Sequence, residues 1–205
     1  MSFSEWQKQG VLSGNHIRLE PLEKHHLISL SKQFTSSLTD YYPQSLRSVD
    51  EYFNEVVGNK IFGEAQVFAI ILVESGDAIG CSGYFNLAET HRRLEVGGTW
   101  IGKMFQGSVV NVESKLLLLD HAFNKMKCLR VEFKTDSLNE RSQKALEKLG
   151  AVREGLLRNH MVRPDGRIRH SIYSSIIFEE WPKVRSNILL RIEEKLNSKT
   201  VKFHD

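Results

Sequence analysis

A strand, a short polar turn and a helix follow one another between residues 95 and 123, and this unit most constrains the fold. Residues 92–101 alternate, which predicts one face made of Leu94, Val96, Gly98 and Trp100 and an opposite face made of Glu95, Gly97, Thr99 and Ile101. After the turn Gln106-Gly107-Ser108, apolar side chains recur at helical spacing up to Phe123. Such a turn aims free backbone N–H groups and the positive end of a helix dipole at an anion. The pattern predicts a phosphate site, and an ordinary strand-to-helix connection is the alternative.

The remaining segments predict an α/β fold with a mixed sheet. The predicted strands cover about residues 15–21, 66–73, 78–85, 92–101, 129–134, 152–163 and 168–178, and the predicted helices about 22–38, 48–58, 109–126, 139–149 and 183–196. Strand 92–101, helix 109–126 and strand 129–135 form a crossover unit with a parallel strand pair. In open sheets a ligand tends to bind at the carboxyl ends of such strands. Without repeats or linkers, residues 1–205 are expected to form one domain with a core at about 15–181.

Composition and charge exclude several function classes. The 28 basic and 25 acidic residues leave a formal charge of only +3, without the basic clusters typical of nucleic-acid-binding proteins. Cys81 and Cys128 lie in apolar, strand-like segments, which indicates reduced, buried thiols. The first ten residues lack the apolar core of a signal peptide, and no apolar run approaches the length of a membrane span. A cytoplasmic protein with no nucleic-acid or membrane partner is expected.

Three motifs, in the expected order, carry a resemblance to a known family. They are Gln106-Gly107-Ser108-Val109-Val110-Asn111; Asn139-x-x-Ser142 followed by residues 146–151; and Arg153-Glu154-Gly155 with Pro164-Asp165-Gly166 and Glu180-Trp181. Together they resemble the GNAT superfamily of acyl-CoA-dependent N-acyltransferases, and more closely its branch of ribosomal-protein N-terminal acetyltransferases. The resemblance covers about residues 15–181, and the predicted order of elements is the one that the GNAT fold uses.

The resemblance implies a GNAT-type fold with a splayed central parallel strand pair and acetyl-CoA as cosubstrate, without a metal. The loop from Gln106 to Asn111 would receive the CoA pyrophosphate, although Val109 and Asn111 replace two residues that are usually small. The pantetheine arm would bond the backbone of Thr99, Trp100 and Ile101 on one side and of residues 134–137 on the other. Asn139 would bond the pantetheine amide. The full set of expected cofactor-binding residues is Thr99, Trp100, Ile101, Gln106, Gly107, Ser108, Val109, Val110, Asn111 and Asn139.

Acyl transfer from a thioester to an amine needs a base, a polarised carbonyl and a proton for the departing thiolate. The resemblance makes Glu95 the expected base; the alternative is a strand glutamate paired with Arg92 or Arg93. Backbone N–H groups near Ile101 would polarise the carbonyl. Many members have a tyrosine proton donor where this chain has Leu146, so Ser142 is expected to assist the thiolate. The alternative for Ser142 is a local role in capping the helix.

Other candidate residues have simpler explanations. Tyr84 would line the acceptor cleft or, more commonly, pack in the core. His160 and His170 are expected at the surface, and His25 and His26 are expected to point apart as helical neighbours. No Cys/His/Asp pattern indicates a metal site. A group of basic side chains would either meet the CoA 3′-phosphate or form a solvated helix face: Arg130, Arg141, Lys144 and Lys148.

The sequence thus predicts an acetyl-CoA-dependent N-acetyltransferase that works by direct attack in a ternary complex. The acceptor would be a primary amine of a protein N-terminus or of a small molecule, and a homodimer is left open. The competing hypothesis is a non-catalytic acyl-CoA-binding domain that acts as a sensor or scaffold. An ATP- or dinucleotide-binding protein is disfavoured, because neither glycine-rich phosphate motif occurs.

Overall fold

The computed structural model describes residues 5–6, 8–58 and 65–200, and within them eight strands form one mixed sheet. The strand order is β1-β2-β3-β4-β5-β6-β8-β7, and only β5 and β6 pair in parallel. The strands are β1 (Leu12–Ser13), β2 (Ile17–Pro21), β3 (Gln66–Leu72), β4 (Ala78–Ala88), β5 (Arg93–Ile101), β6 (Arg130–Asp136), β7 (Val152–Val162) and β8 (Ile168–Ile177). The α-helices are α1 (Leu27–Gln33), α2 (Val49–Phe53), α3 (Val109–Asp120), α4 (Glu140–Leu149) and α5 (Trp181–Thr200).

The predicted order of elements is confirmed, while several boundaries were wrong. The two-residue strand β1 was not predicted and covers β2, which was expected at the sheet edge. The helix expected over 22–38 ends at Gln33, because Phe34 is extended and the hydroxyl-rich segment after it forms a separate 3-10 turn over Ser36–Thr39. Residues 86–88 continue β4 instead of forming a loop. Helix α5 begins at Trp181, two residues before the expected start.

Apolar side chains cover both faces of the sheet. Helices α3 and α5 contact each other and pack over one face, where Phe123, Trp181 and Ile188 belong to the larger core cluster. Helices α1 and α2 cover the other face around Leu30 and Tyr52. Tyr84 is fully buried, and its hydroxyl donates to the Leu118 carbonyl at 2.7 Å, which confirms the core interpretation for this residue. None of the helices in the described ranges is long and apolar enough to cross a membrane.

A β-bulge in β5 overturns the predicted alternation of this strand. The register of β5 against β4 shifts by one residue between Gly97 and Trp100, and Gly98 has a φ of +57°. A Cβ at position 98 would lie 2.7 Å from the Phe85 ring, so only glycine fits there. Leu94, Val96 and Ile101 therefore share one core cluster, whereas Trp100 lies in the cluster on the opposite face.

The parallel strands β5 and β6 pair only at their beginnings. Their register covers Arg93–Glu95 against Arg130–Glu132, and no pairing between them follows in the described residues. Beyond Glu95, β5 continues along β4 while β6 continues along β8. The central pair therefore splays apart, as the GNAT resemblance implied, and the facing backbone edges of both strands are left without a strand partner.

The two cysteines are free and buried, as expected. Cys81 lies on β4, while Cys128 lies just before β6 and not within a strand. Burial raises the pKa of the Cys128 thiol to about 12 and also raises that of Cys81. Both thiols are therefore protonated near neutral pH and act as small apolar core groups.

Candidate active site

A cavity of about 930 Å³ occupies the opening between β5 and β6 and passes from one face of the sheet to the other. One end, here called the cosubstrate end, is lined by the turn before α3, by the first turns of α3 and by the start of α4. The other, here called the acceptor end, is lined by residues 37–46, by the end of β4 and by β8. A cavity lined in this way has room for two substrates that meet at the splayed strands.

The turn before α3 presents backbone donors toward the cosubstrate end. Gly107 has a φ of +76°, and nothing lies within 4 Å of the position that a Cβ would take. Ser108 is the N-cap of α3 and its hydroxyl accepts the Val110 amide at 3.3 Å. The amides of Val109 and Asn111 have no acceptor within the helix, because the first turn of any α-helix leaves its N–H groups unpaired. The turn thus has the geometry of an anion site, with Val109 in ordinary helical backbone.

The side chain of Gln106 braces this turn. Its Nε2 donates to the Ile101 carbonyl at 2.9 Å, and its Oε1 accepts from Arg141 at 2.7 Å. Lys195 of α5 donates to the Gly107 carbonyl at 2.5 Å. Gln106 therefore ties the end of β5 to α4 and fixes the position of the turn between them.

Asn139 begins α4 at the edge of the cavity. Its Oδ1 accepts the Ser142 amide at 3.1 Å as the N-cap, while within the described residues its Nδ2 has no acceptor. Ser142 lies in the first helical turn, half-buried and facing the cavity, and its hydroxyl has no hydrogen bond among the same residues. The capping group is thus Asn139, and the Ser142 hydroxyl is left available. On α3, the buried Asn111 Oδ1 also lacks a donor.

At the residues expected to bind pantetheine (Thr99, Trp100 and Ile101), the side chains make contacts within the protein. The Trp100 ring is buried in the core, where it makes edge contacts with Phe34 and Tyr52 at 5.2 and 5.8 Å between ring centroids. Ile101 packs into the opposite core cluster. Only the backbones of these residues face the opening, whereas the Thr99 hydroxyl is engaged with Ser82 at 2.7 Å.

Glu95 lies where the pairing of β5 and β6 ends. Its side chain is 7% exposed, and its Oε2 contacts Lys134 Nζ at 3.1 Å and accepts from Asn86 Nδ2 at 3.0 Å. The ion-pair partner is therefore Lys134 on β6, and neither Arg92 nor Arg93 as the sequence interpretation offered. Oε1 has no hydrogen bond within the described part of the chain and lies 3.3 Å from the position of a Cβ at Gly97. The glycine thus leaves space next to a carboxylate oxygen that lines the cavity.

Lys115 was not predicted as a site residue, yet it is buried in the wall of the cavity. Its Nζ donates to Thr99 Oγ1 at 2.6 Å and to Ser82 Oγ at 3.0 Å. Within the described residues no carboxylate forms an ion pair with it, and burial lowers the pKa of the Lys115 amine to about 7. The signal in the sequence was a cationic residue inside the apolar run of α3. Burial therefore favours the neutral amine form of Lys115, which lies next to the bulged strand.

Charged groups from β6 and β8 gather at the acceptor end. Asp136 is fully buried and accepts from Arg167 Nη2 at 2.6 Å and from the Leu138 amide at 3.0 Å. The Arg167 side chain and this backbone bond hold the pKa of Asp136 below its usual value despite burial. Arg169 is also buried and lines the cavity. Neither arginine was predicted as a site residue, because only the pairing of β6 with β8 brings them to Asp136.

The histidines differ from their predicted positions. His160 and His170 are half-buried; His160 contacts the Tyr173 ring, and His170 Nδ1 accepts the Asn159 amide at 2.8 Å. His25 and His26 do not point apart, because residues 24–26 form a 3-10 turn that brings their rings within 3.8 Å.

With Glu20, His25 and His26 form the single group of three possible metal ligands within the described ranges. His26 Nδ1 accepts the Glu23 amide, so Nε2 carries the proton that it donates to Glu20. That proton occupies the lone-pair position that a metal ion would need.

The basic residues proposed for the 3′-phosphate lie in different places. Arg130 was a wrong candidate, since its guanidinium is paired with Glu132 and Glu154. Arg141 lines the cavity near Gln106. Lys144 pairs with Glu140 at 3.4 Å on the exposed face of α4, where Lys148 is exposed as well.

Comparisons with known proteins agree with this geometry. A Bacillus subtilis (strain 168) protein named "Putative ribosomal N-acetyltransferase YdaF" is 25% identical over 80% of this chain and 90% of its own. A solved structure of a putative acetyltransferase from T. thermophilus is 34% identical, with a TM-score of 0.81, over 91% of this chain and 99% of that chain. The fold also matches Mycobacterium smegmatis RimJ in complex with CoA-disulfide, with a TM-score of 0.72 at 20% identity over 88% of this chain and 91% of that chain.

The protein family described as "Acetyltransferase (GNAT) domain" matches this chain over residues 16–152, which is more than half of its length. This match and the relatives agree with the splayed strands, the turn before α3 and the capped helix α4. The chain therefore belongs to the acetyltransferase (GNAT) domain family and is an N-acetyltransferase enzyme.

Proposed function

We propose that the chain transfers an acetyl group from acetyl-CoA to a primary amine by direct attack in a ternary complex. The observation that carries the proposal is the position of Glu95, whose carboxylate lines the cavity where β5 and β6 part. The acceptor is the N-terminus of a protein or a small molecule. The name of the Bacillus subtilis relative supports a ribosomal protein as one such acceptor.

The residues of the cosubstrate end fit an acyl-CoA. The free amides of Val109 and Asn111 and the open position at Gly107 suit the pyrophosphate, together with Ser108 and Val110 that complete the helix start. The edge of β5 at Thr99, Trp100 and Ile101, which has no strand partner among the described residues, suits the pantetheine arm, and Asn139 Nδ2 can donate to it. The solved complex of RimJ with CoA-disulfide supports this assignment at the level of the fold. Acetyl-CoA supplies an activated thioester carbonyl when it is bound.

At the acceptor end, Glu95 accepts the proton that the attacking amine loses. Lys134 and Asn86 hold Oε2, so Oε1 is the oxygen that takes up this proton. Backbone N–H groups near Ile101 stabilise the negative charge on the carbonyl oxygen. This charge arises as the amine forms the C–N bond at the carbonyl carbon, and the C–S bond breaks when the carbonyl double bond is restored.

Two groups in the cavity stabilise and protonate the departing sulfur. The Ser142 hydroxyl donates a hydrogen bond to it. To Lys115 Nζ, which lies in the wall of the same cavity beside Thr99, we assign the proton that converts the thiolate to a thiol; burial lowers its pKa to about 7, which suits a general acid. Glu95 then loses its proton to solvent and Lys115 regains one, so that protons balance over the cycle.

Binding of acetyl-CoA provides the first test. We expect thermal unfolding of the protein to move upward with acetyl-CoA and to be unchanged by ATP, because a ligand at 100 times its Kd stabilises by about 2.7 kcal/mol. Absence of a shift at millimolar acetyl-CoA would contradict the proposal. Release of CoA thiol with a panel of primary amines then separates an enzyme from a non-catalytic acyl-CoA sensor, which would bind without turnover. A homodimer and a cytoplasmic location stay predictions.

A further inference from the structure

Arg169 is a buried cation without adequate partners. It lies on β8, is only 3% exposed, and lines the acceptor end of the cavity. Its Nε and Nη1 atoms are buried and have no hydrogen-bond acceptor among the described residues. An unpaired guanidinium in a protein interior is costly, so such a group normally has an acceptor in the functional state.

The nearby carboxylates already have closer partners. Asp136 Oδ2 lies 2.6 Å from Arg167 Nη2 but 3.7 Å from Arg169 Nε, and its Oδ1 accepts a backbone amide. Glu95, the other carboxylate that acts electrostatically on Arg169, is held by Lys134. Neither carboxylate satisfies the two buried nitrogens of Arg169.

A buried tyrosine also belongs to the wall of this cavity. The Tyr42 hydroxyl is buried and has no hydrogen-bond partner within the described ranges, and Tyr42 lines the cavity. Arg163, near the tip of the β7–β8 hairpin, donates to the Asp40 carbonyl at 2.6 Å and so holds this hairpin against the segment that carries Tyr42. The hairpin that carries Arg169 and the segment that carries Tyr42 thus bound the same cavity, which Glu95 also lines.

From the buried, unsatisfied nitrogens of Arg169 in the cavity wall we propose that the acceptor amine also carries a carboxylate, which binds Arg169. A planar guanidinium and a carboxylate fit each other in a bidentate pair, and burial strengthens the interaction. The carboxylate at Arg169 directs the amine toward Glu95 at the same end. This inference rests on the proposed acetyl transfer and narrows its acceptor to an amino acid or to a peptide with an acidic side chain near its N-terminus.

Matched acceptor pairs test the inference. Acetylation rates are measured with glycine, β-alanine and 4-aminobutyrate against their amides, and with peptides that carry Asp or Asn at the second position. The variants are Arg169→Gln and, as a control on the exposed face of the same hairpin, Arg158→Gln. Dividing each variant's kcat/KM by that of the parent chain for the same compound removes differences in amine basicity.

We expect Arg169→Gln to lower kcat/KM for carboxylate-bearing acceptors about 10- to 100-fold more than for their amides. Arg158→Gln should leave both unchanged. Whether the small acids or the acidic peptides respond identifies the source of the carboxylate. Equal losses for acids and amides would overturn the inference, since they indicate a purely structural role. If Arg169→Gln does not fold, the parent chain alone provides the test. A parent chain whose kcat/KM is higher for none of the acids than for the matching amide would also overturn the inference.

The proposed acetyl transfer and the inference about Arg169 would be overturned by different results. Absence of acetyl-CoA binding would overturn the acetyl transfer itself. Binding of acetyl-CoA without any carboxylate-bearing acceptor being used would overturn only the role of Arg169.

Discussion

Replacing Lys115 with methionine should stabilise the fold at low pH and remove one contribution to the pH dependence of the free energy of unfolding. The pKa of a lysine is ordinarily 10.5, and burial lowers that of Lys115 to about 7. Since one pH unit corresponds to about 1.4 kcal/mol, keeping this lysine protonated in the folded state costs about 5 kcal/mol below pH 7. Methionine has similar length and no charge, but it leaves the Ser82 and Thr99 hydroxyls without the ammonium donor. We therefore expect a net gain of about 3 kcal/mol at pH 6.

The sign of the pH dependence follows from proton counting. Between about pH 7 and 10.5 the unfolded chain keeps the Lys115 proton and the folded chain has lost it, so the free energy of unfolding rises with pH by about 1.4 kcal/mol per unit. Lys115→Met lacks this contribution. Its advantage over the parent chain should shrink by about 2 kcal/mol from pH 7 to pH 9.

Urea unfolding of both proteins at pH 6, 7, 8 and 9 measures this difference. Lys144→Met, at an exposed position of α4, is the control and should show no such dependence. A difference between the parent chain and Lys115→Met that stays constant over the whole range would refute the reasoning, because it would mean that the ammonium is not desolvated in the folded state.

Three further perturbations test separate parts of the structure. Gly98→Ala should destabilise the fold by about 2 kcal/mol or more in urea unfolding, because position 98 has a φ of +57° and a Cβ would meet the Phe85 ring at 2.7 Å; an unchanged midpoint would contradict the bulge. Asn139→Ala should lose about 1 kcal/mol of capping energy, while Asn139→Asp should keep the cap and weaken only acetyl-CoA binding in calorimetry; equal affinities of Asn139→Asp and the parent chain would exclude Asn139 Nδ2 as a donor. Arg130 holds the pKa of Glu154 at about 2, below the usual glutamate value of 4.5. This ion pair therefore stabilises the fold above pH 4.5, and its contribution is lost as pH falls toward 2. Urea unfolding should show that Glu154→Gln loses less stability between pH 7 and pH 3 than the parent chain does.

The strand–turn–helix unit and the parallel crossover followed from local patterns in the sequence. Ser108 and Asn139 cap the helices whose starts were expected there, and Gly150 ends α4 in the left-handed conformation, with a φ of +97°. Such signals lie within a few residues of the feature they determine, so they are readable without tertiary contacts. Glu95 became the expected base through the family resemblance, in which an acidic residue often occupies this place on the strand that leads into the turn.

The parts of the site that were missed depend on contacts distant in sequence. The bulge at Gly98 reverses the faces of β5, which a strict two-residue period cannot represent. Lys115 was not considered, because α3 is buried on more sides than its apolar stripe indicated, with Glu113 and Ser114 also inside. The lack of hydrogen bonds at Arg169 Nε and Nη1 follows from where Arg167 meets Asp136, and that arrangement exists only after β6 and β8 have paired.

The most direct test of the central claim is the turnover of Glu95→Gln measured beside its affinity for acetyl-CoA. Glu147→Gln, on the exposed face of α4, is the matched control. If Glu95 accepts the amine proton, Glu95→Gln lowers kcat about 10²- to 10⁴-fold while acetyl-CoA binds as tightly as to the parent chain and Glu147→Gln remains fully active. Turnover of Glu95→Gln equal to that of the parent chain would contradict the account and remove Glu95 from the reaction.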